Sequence, residues 1–243
     1  MVKLKNYYES VREDKSQYKI SYPDFDELRI TLPNRFMIVG GSGAGKTNLV
    51  LNFIRIFGFT QIYLYAKRLD EPLYELLQEN CRKIEAKCGS QILYMFDSVI
   101  DPDTDESNVP PVNEFNKEDN NLVIIDDFNK LTAKEARAVE DLFTFGRKSN
   151  ISVIWSCHNY FNPMAQTIKN NTNVFIFKQI ERMKMLRMIF KDFENDKSVD
   201  ELVWMYNLAK KKADNMDSFL MINNDPHDKS VVKYWNGFQP FFN

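Results

Sequence analysis

A glycine-rich stretch with one lysine and one threonine carries the clearest chemical signal in this chain. It reads GGSGAGKT over residues 40–47. The glycines allow backbone N–H groups to turn inward around a polyanion at the start of a helix. Lys46 would then reach the β- and γ-phosphates of a nucleotide, and Thr47 would ligate Mg²⁺. The stretch therefore predicts a nucleoside triphosphate site, and a glycine-rich turn without a ligand is the plain alternative. The predicted nucleotide-binding residues are Gly40, Gly41, Ser42, Gly43, Ala44, Gly45, Lys46, Thr47 and Asn48.

Two adjacent acids follow an apolar run, LVII, at residues 122–125. Such a run reads as a buried strand that delivers carboxylates to its C-terminal end, where α/β sheets bind ligands. Asp126 is the expected partner of Thr47 in holding Mg²⁺, directly or through water. Asp127 is placed to orient or deprotonate an attacking water. An apolar run that ends in acids is common by itself, so this interpretation depends on its pairing with the glycine-rich stretch.

The spacing and the surrounding residues narrow the class of nucleotide enzyme. Lys46 and Asp126 are 80 positions apart, which leaves room for additional strands and favours a hydrolysing motor over a small-molecule kinase. Guanine recognition usually uses Asn-Lys-x-Asp, whereas residues 129–132 read NKLT and lack the acid. ATP is therefore the predicted nucleotide.

Polar residues also end the next predicted strand, in the sequence SCHN at residues 156–159. A side chain there would reach the γ-phosphate or the attacking water. His158 is the first choice for this sensor role, with Ser156 and Asn159 behind it. A lone histidine in a turn is often structural, so both readings stay open.

Two cations stand just before that strand, Arg147 and Lys148 in the sequence FGRKSN. A cation at the end of a helix favours the helix C-terminus. It would equally suit a neighbouring subunit's nucleotide site as an arginine finger, since a guanidinium matches phosphate geometry. Lys169 and Asn171 are further polar candidates.

The elements that must position these residues alternate between strands and helices. This alternation predicts an α/β fold, a mainly parallel sheet with helices on both faces. Predicted strands cover residues 27–32 as an edge strand, 36–39, 61–65, 91–96, 122–128, 151–158 and 173–178, and predicted helices cover residues 71–87 and 132–145. The acidic segment between residues 97 and 121 is predicted to be a long loop.

The flanking segments complete the domain prediction. Residues 1–24 read as an N-terminal arm, and 25–243 as a single ATPase domain with its core at about 35–178. The extension, 179–243, holds two helical patterns and a probable terminal hairpin. In the first pattern Met183, Leu186, Ile189 and Phe190 form an apolar stripe, whereas Lys184, Arg187 and Lys191 lie on other faces. We favour the interpretation that these cations face solvent, and contact with DNA is the less favoured alternative.

Composition limits the remaining possibilities. The chain has 243 residues, 44% of them hydrophobic, which suits one sizeable domain. Its net charge of −2 conceals a net −7 in residues 97–119, which leaves +5 for the rest and gives weak support for a nucleic-acid partner. Cys81, Cys88 and Cys157 are predicted to be ordinary thiols. No signal peptide or membrane-spanning run is found, so the sequence predicts a soluble protein that is not secreted.

The motifs taken together resemble a known family. GGSGAGKT, LVIIDDF, FTFGRKSNISVIWSCHNYF and TIKNNTNVFIFK, in this order, are similar to the poxvirus-type genome-packaging ATPases of large DNA viruses and virophages, within the FtsK–HerA superfamily of P-loop motors. The resemblance covers about residues 35–178. It assigns Lys46 and Thr47 to nucleotide and Mg²⁺, Asp126 to Mg²⁺, and Arg147 to an intersubunit finger. The sequence departs from the family at the second acid, often Glu there, and at the sensor, often Gln.

The resemblance implies an ATP hydrolase that pulls double-stranded DNA into a preformed capsid. It further implies a homo-oligomeric ring, a pentamer or hexamer, and a capsid or portal-vertex partner. The implied location is the host-cell interior at sites of virus assembly, a cytoplasmic viral factory, with the virion as a second location. A helicase or DNA-processing ATPase is one alternative. A capsid-assembly scaffold that binds nucleotide without hydrolysing it is another.

Overall fold

Apolar runs rich in β-branched and aromatic residues form one nine-stranded sheet. The computed structural model describes residues 30, 32–128, 131–161, 165–211, 218–224 and 233–241. The strands are β1 (Arg35–Gly40), β2 (Gln61–Ala66), β3 (Leu93–Phe96), β4 (Asn121–Asp126), β5 (Ile151–Cys157), β6 (Val174–Lys178), β7 (Leu220–Asn223), β8 (Tyr234–Asn236) and β9 (Gln239–Pro240). Their order across the sheet is β3-β2-β4-β5-β1-β6-β7-β8-β9. The first six strands in this order run parallel, and β7, β8 and β9 join antiparallel.

Six α-helices of the described residues pack on the sheet. They are α1 (Lys46–Phe57), α2 (Pro72–Cys88), α3 (Ala133–Phe145), α4 (Ala165–Asn171), α5 (Met183–Phe190) and α6 (Val199–Lys210). On one face, the apolar sides of α1 and α2 form a core with strand residues such as Phe36 and Ile124. On the other face, α3, α5 and α6 form a second core with residues such as Trp155 and Phe177. The predicted α/β fold, with a mainly parallel sheet covered on both faces, is confirmed.

The position of β5 decides where the polar residues meet. β5 pairs with β1 on one side and with β4 on the other, all parallel. The carboxyl ends of parallel strands share one edge of the sheet. The residues after β5 are therefore held between the glycine-rich loop after β1 and the acids at the end of β4.

Several element predictions need correction at their bounds. The strand predicted at residues 91–96 is shorter and begins at Leu93. The sequence around α4 was interpreted only as a polar stretch. The predicted edge strand at residues 27–32 falls mostly outside the described residues, and neither Ile30 nor Leu32 lies in a strand. The predicted N-terminal arm lies outside the described residues altogether. The terminal hairpin is confirmed as the antiparallel pair β7 and β8, and β9 extends it.

Candidate nucleotide-binding and hydrolysis site

The glycine-rich stretch forms a loop that ends at a helix N-terminus. β1 ends at Gly40 and α1 begins at Lys46. Gly43 and Gly45 adopt left-handed backbone angles, with φ of 72° and 75°, which glycine adopts without steric cost. No side chain caps α1, and the first N–H groups of a helix lack intrahelical acceptors. The loop therefore offers backbone donors and the positive end of the helix dipole to an anion. The side chain of Asn48 is buried, so any contribution by this residue comes from its backbone N–H.

Gly40 is required for a different reason, the close approach of β6. A Cβ atom at residue 40 would lie 2.5 Å from the Lys178 carbonyl oxygen and 3.1 Å from the Lys178 Cβ. These atoms belong to the neighbouring strand, paired with β1 residue by residue. Residue 40 must therefore lack a side chain for β1 to pair with β6 up to the start of the loop.

We expect Gly40→Ala to destabilise the protein by about 1–3 kcal/mol, because the added methyl overpacks against a backbone that cannot move freely. Gly41→Ala is the matched control, since its Cβ would meet only the Gln179 carbonyl oxygen, at 3.4 Å. Urea denaturation of both variants measures the difference. If both variants unfolded at the same urea concentration, the steric explanation would be contradicted.

Lys46 is buried at the centre of the loop. Its Nζ donates to the carbonyl oxygens of Gly40 and Gly41, each at 3.2 Å, and lies 3.3 Å from His158 Nδ1. The ammonium group is thus folded back on neutral acceptors at the place where the loop would hold phosphates. A phosphate offers a stronger, charged acceptor for the same proton donors.

Thr47 and Asp126 converge on one point, as the sequence predicted. Thr47 Oγ1 donates to Asp126 Oδ2 at 3.1 Å. Ser156 pairs with Asp126 across β4 and β5, and its buried Oγ has no hydrogen-bond partner within the described residues. A hydroxyl, a carboxylate and an unsatisfied buried hydroxyl are oxygen ligands or water-binding groups of the kind that Mg²⁺ prefers. The residues present therefore fit a Mg²⁺ ion beside the phosphates.

Tyr74 of α2 and Glu71, which precedes this helix, join the cluster, and the sequence analysis missed Tyr74. The buried Tyr74 hydroxyl donates to Asp126 Oδ2. Glu71 is the N-cap residue of α2. Burial raises the pKa of Glu71, and the carboxylates of Asp126 and Asp127 raise it further. Tyr74 lies in the apolar stripe of an amphipathic helix, so its sequence context indicates a core residue and gives no signal for this role.

Tyr74→Phe is expected to weaken Mg²⁺ affinity about 10- to 100-fold, because partners that orient a metal ligand contribute that much. The control is Tyr65→Phe, which removes a buried hydroxyl that donates to the Asn108 carbonyl oxygen at 2.8 Å, away from Asp126. The measurement is Mg²⁺-dependent binding of a fluorescent ATP analogue. An identical Mg²⁺ dependence in the two variants would refute the orienting role of Tyr74.

Asp127 and His158 form the second half of the site. Asp127 follows β4 with φ of 61°, and its N–H donates to the Ser156 carbonyl oxygen at 3.1 Å. Its Oδ1 lies 2.6 Å from His158 Nε2, and His158 Nδ1 lies 3.0 Å from the Gly40 carbonyl oxygen. His158 Nε2 faces the Asp127 carboxylate, and Nδ1 faces both the Lys46 ammonium group and the Gly40 carbonyl oxygen. His158 therefore links Lys46 to Asp127.

The remaining candidates divide between this site and other places. Ser156 lies under it, as described above. Asn159 instead accepts the Phe161 N–H at 3.0 Å in a local turn. Lys169 pairs with Asp192 at 3.6 Å, and α4, which carries Lys169 and Asn171, precedes β6 and so lies at the opposite sheet edge. Lys169 and Asn171 therefore do not join the nucleotide site of their own chain.

Arg147 and Lys148 also lie away from the P-loop. Both are exposed in the short 3-10 turn Gly146–Ser149, just before β5 begins. β5 has seven residues, a length of about 23 Å at 3.3 Å per residue, and His158 is at its other end. In the described part of the chain the Arg147 side chain has no hydrogen bond or ion pair. Arg147 therefore lies far from the P-loop of its own chain.

The fold and the site together define a P-loop NTPase, with a glycine-rich loop after β1, paired acids after β4 and a polar residue after the intervening β5. Residues 24–231 match the family described as Poxvirus A32 protein, and the chain belongs to that family. No curated protein sequence matches the chain.

Two solved structures with a similar fold are of viral proteins. One is the genome packaging NTPase B204 from Sulfolobus turreted icosahedral virus 2 in complex with sulfate, with 13% identity, a TM-score of 0.50, and coverage of 81% of this chain and 94% of that one. Another is B204, the DNA-packaging ATPase from Sulfolobus Turreted Icosahedral Virus, with 13% identity, a TM-score of 0.50, and coverage of 79% and 92%. These similarities show the shared fold. None of the helices in the described ranges has the length and apolar content that a membrane crossing requires.

Proposed function

We propose that the chain is an ATP-driven double-stranded DNA translocase, the motor that packages a viral genome into a preformed capsid. The observation that carries the proposal is the chain of contacts from Lys46 through His158 to Asp127, set beside the Thr47–Asp126 pair. Membership of the poxvirus A32 family supports the packaging role, as does the fold shared with a protein described as a DNA-packaging ATPase.

The proposed chemistry begins with nucleotide binding. The backbone N–H groups of residues 41–47 surround the phosphates, and Lys46 exchanges its carbonyl acceptors for phosphate oxygens. Thr47 and Asp126 would hold a Mg²⁺ ion, which would supply positive charge beside the phosphates. The Tyr74 hydroxyl orients the carboxylate of Asp126 through its hydrogen bond. Asp127, half-exposed, is accessible to the attacking water and accepts its proton.

His158 gives this site a means of reporting its nucleotide state. Lys46 and Asp127 both contact its ring, at Nδ1 and Nε2. When Lys46 moves to a phosphate, His158 Nδ1 loses that donor, and the ring is free to respond to the γ-phosphate while Nε2 still holds Asp127. Hydrolysis reverses this exchange, so the position of His158 follows the reaction.

Asp127→Asn is expected to bind ATP with Mg²⁺ normally and to hydrolyse it about 10²- to 10⁴-fold more slowly, because the amide keeps the shape and loses the basicity. Asp192→Asn, at the opposite sheet edge, is the control. Single-turnover hydrolysis is the measurement.

Normal single-turnover hydrolysis by Asp127→Asn would reassign the base. Glu135 is occupied in the capping box of α3, where it accepts the Thr132 N–H at 2.7 Å. Glu71, beside both aspartates, would be the next acid to test, as Glu71→Gln.

The proposed working form is a homo-oligomeric ring, a pentamer or hexamer, around the DNA. Arg147 would complete the neighbour's site as a finger, and a capsid or portal-vertex protein would hold the ring. The proposed place of action is the cytoplasmic viral factory in the host cell. Contacts with the DNA backbone would suffice for translocation, since packaging needs little base recognition.

ATP turnover by the purified chain, with and without linear duplex DNA, tests this function. The proposal predicts turnover that duplex DNA stimulates. ATP binding with no turnover under either condition would favour the nucleotide-gated scaffold instead. Separation of the two strands of the duplex would favour a helicase.

A further inference from the structure

The outward side of α5 carries exposed cations. Lys184, Arg187, Met188 and Lys191 recur at helical spacing on one stripe, here called the basic face, and all four are exposed. Arg187 pairs with Asp200 at 2.7 Å. Lys184 and Lys191 have no ion pair within the described residues. The opposite side of the helix packs in the core, and this face is exposed within the part of the chain that the structure describes.

A second exposed surface has the opposite charge. Glu114 ends the 3-10 turn Val112–Glu114, and Glu118 follows it four residues later. Both are exposed and have no cationic partner in the described part of the chain. These two residues are called the acidic surface. The Val112–Glu114 turn contacts the Gly146–Ser149 turn, which carries Arg147.

The basic face has the composition of a protein interface. Met188 is 47% exposed in the middle of this stripe. Met183, which the sequence placed on the apolar stripe, is also exposed, at 42%. Exposed methionines are enriched at protein–protein contacts, whereas DNA backbone contacts use cations and small polar groups. The expected occupant is therefore a protein surface that carries carboxylates.

We propose that a second copy of this chain docks its acidic surface onto the basic face. The contact joins two different surfaces, so repetition generates a ring when the rotation closes. The proposal rests on the ring and the trans finger proposed above, and it names the surfaces that would form the boundary.

The position of α5 gives the contact a consequence for catalysis. The Gln179 carbonyl oxygen accepts the Gly41 N–H at 3.5 Å, and α5 begins at Met183, just beyond its N-cap Arg182. The basic face therefore begins next to the P-loop. A copy whose acidic surface docks there brings its Arg147, which neighbours that surface, toward the partner copy's phosphates.

Paired charge reversals test the proposal. One variant is Lys184→Glu with Lys191→Glu, the second is Glu114→Lys with Glu118→Lys, and the third combines all four changes. The control is Lys83→Glu with Lys87→Glu, an exposed pair on α2. Self-association is measured by analytical ultracentrifugation with ATP analogue and Mg²⁺, and circular dichroism checks folding.

Each two-site reversal is expected to weaken self-association about tenfold or more, because like charges then face each other. The combined variant should recover it, as should an equimolar mixture of the two reversed proteins. Raised salt should weaken the wild-type assembly. The control should assemble as the wild type does.

Other outcomes would overturn the proposal. Unchanged assembly of both reversed variants would place the boundary elsewhere. Loss of duplex DNA binding by Lys184→Glu with Lys191→Glu, with assembly intact, would show that the basic face contacts DNA. If the variant with all four changes did not regain self-association, direct pairing of these charges would be excluded. ATP turnover is measured separately, so loss of the ATPase function would not be confused with any of these results.

Discussion

Lys46→Ala is expected to abolish ATP turnover while the protein stays folded. The phosphates would lose the one fixed ammonium group that the loop directs at them, and that charge stabilises the transition state. Folding should survive, because the Lys46 ammonium group contacts loop carbonyl oxygens and His158 and belongs to neither apolar core. A steady-state phosphate-release assay measures the loss.

The control for that variant is Lys83→Ala, which removes an exposed lysine from α2, where it pairs with Glu79 at 3.4 Å. It should hydrolyse ATP at the wild-type rate. If a folded Lys46→Ala protein hydrolysed ATP at the wild-type rate, the assignment of the nucleotide site to this loop would be wrong.

Arg147→Ala is expected to retain ATP binding and lose turnover by about a thousandfold or more, the contribution typical of an arginine finger. The physical reason is its location, since its exposed side chain lies at the sheet edge opposite its own P-loop. Arg137→Ala, an exposed arginine on α3, is the matched control. Turnover is measured under conditions in which the wild type assembles on DNA.

Mixing two inactive variants resolves whether Arg147 acts on a neighbour. An Arg147→Ala subunit keeps its own P-loop, and a Lys46→Ala subunit keeps its arginine. Mixed rings should regain some hydrolysis at boundaries where an intact P-loop faces an intact arginine. No recovery in confirmed mixed rings would exclude the finger role, and Lys148 would be the next cation to test.

The sequence predicted the glycine-rich loop, the acid at the end of β4 and the fold class, because these features have local patterns. The spacing of glycines, Lys46 and Thr47 is fixed within one turn, and the apolar run before Asp126 marks a buried strand by itself. His158 was predicted from its place at a strand end. The structure adds why it matters, since β5 lies between β1 and β4 and so holds His158 between Lys46 and Asp127.

The features that the sequence did not predict depend on packing between segments that are distant in the chain. Tyr74 reaches Asp126 across 52 positions, and a tyrosine in an amphipathic helix reads as core. The closeness of Gly40 to Lys178 follows from the pairing of β1 with β6, which no local pattern encodes. The sequence showed Arg147 before a strand, but only the parallel direction of that strand places it far from its own site.

ATP-dependent displacement of a third strand from an intact linear triplex DNA tests the translocase account most directly. The account predicts that the wild-type protein with ATP and Mg²⁺ displaces the third strand while the underlying duplex stays paired. Lys46→Ala should displace none. A folded wild-type protein that hydrolyses ATP on duplex DNA yet leaves the third strand bound would contradict the account.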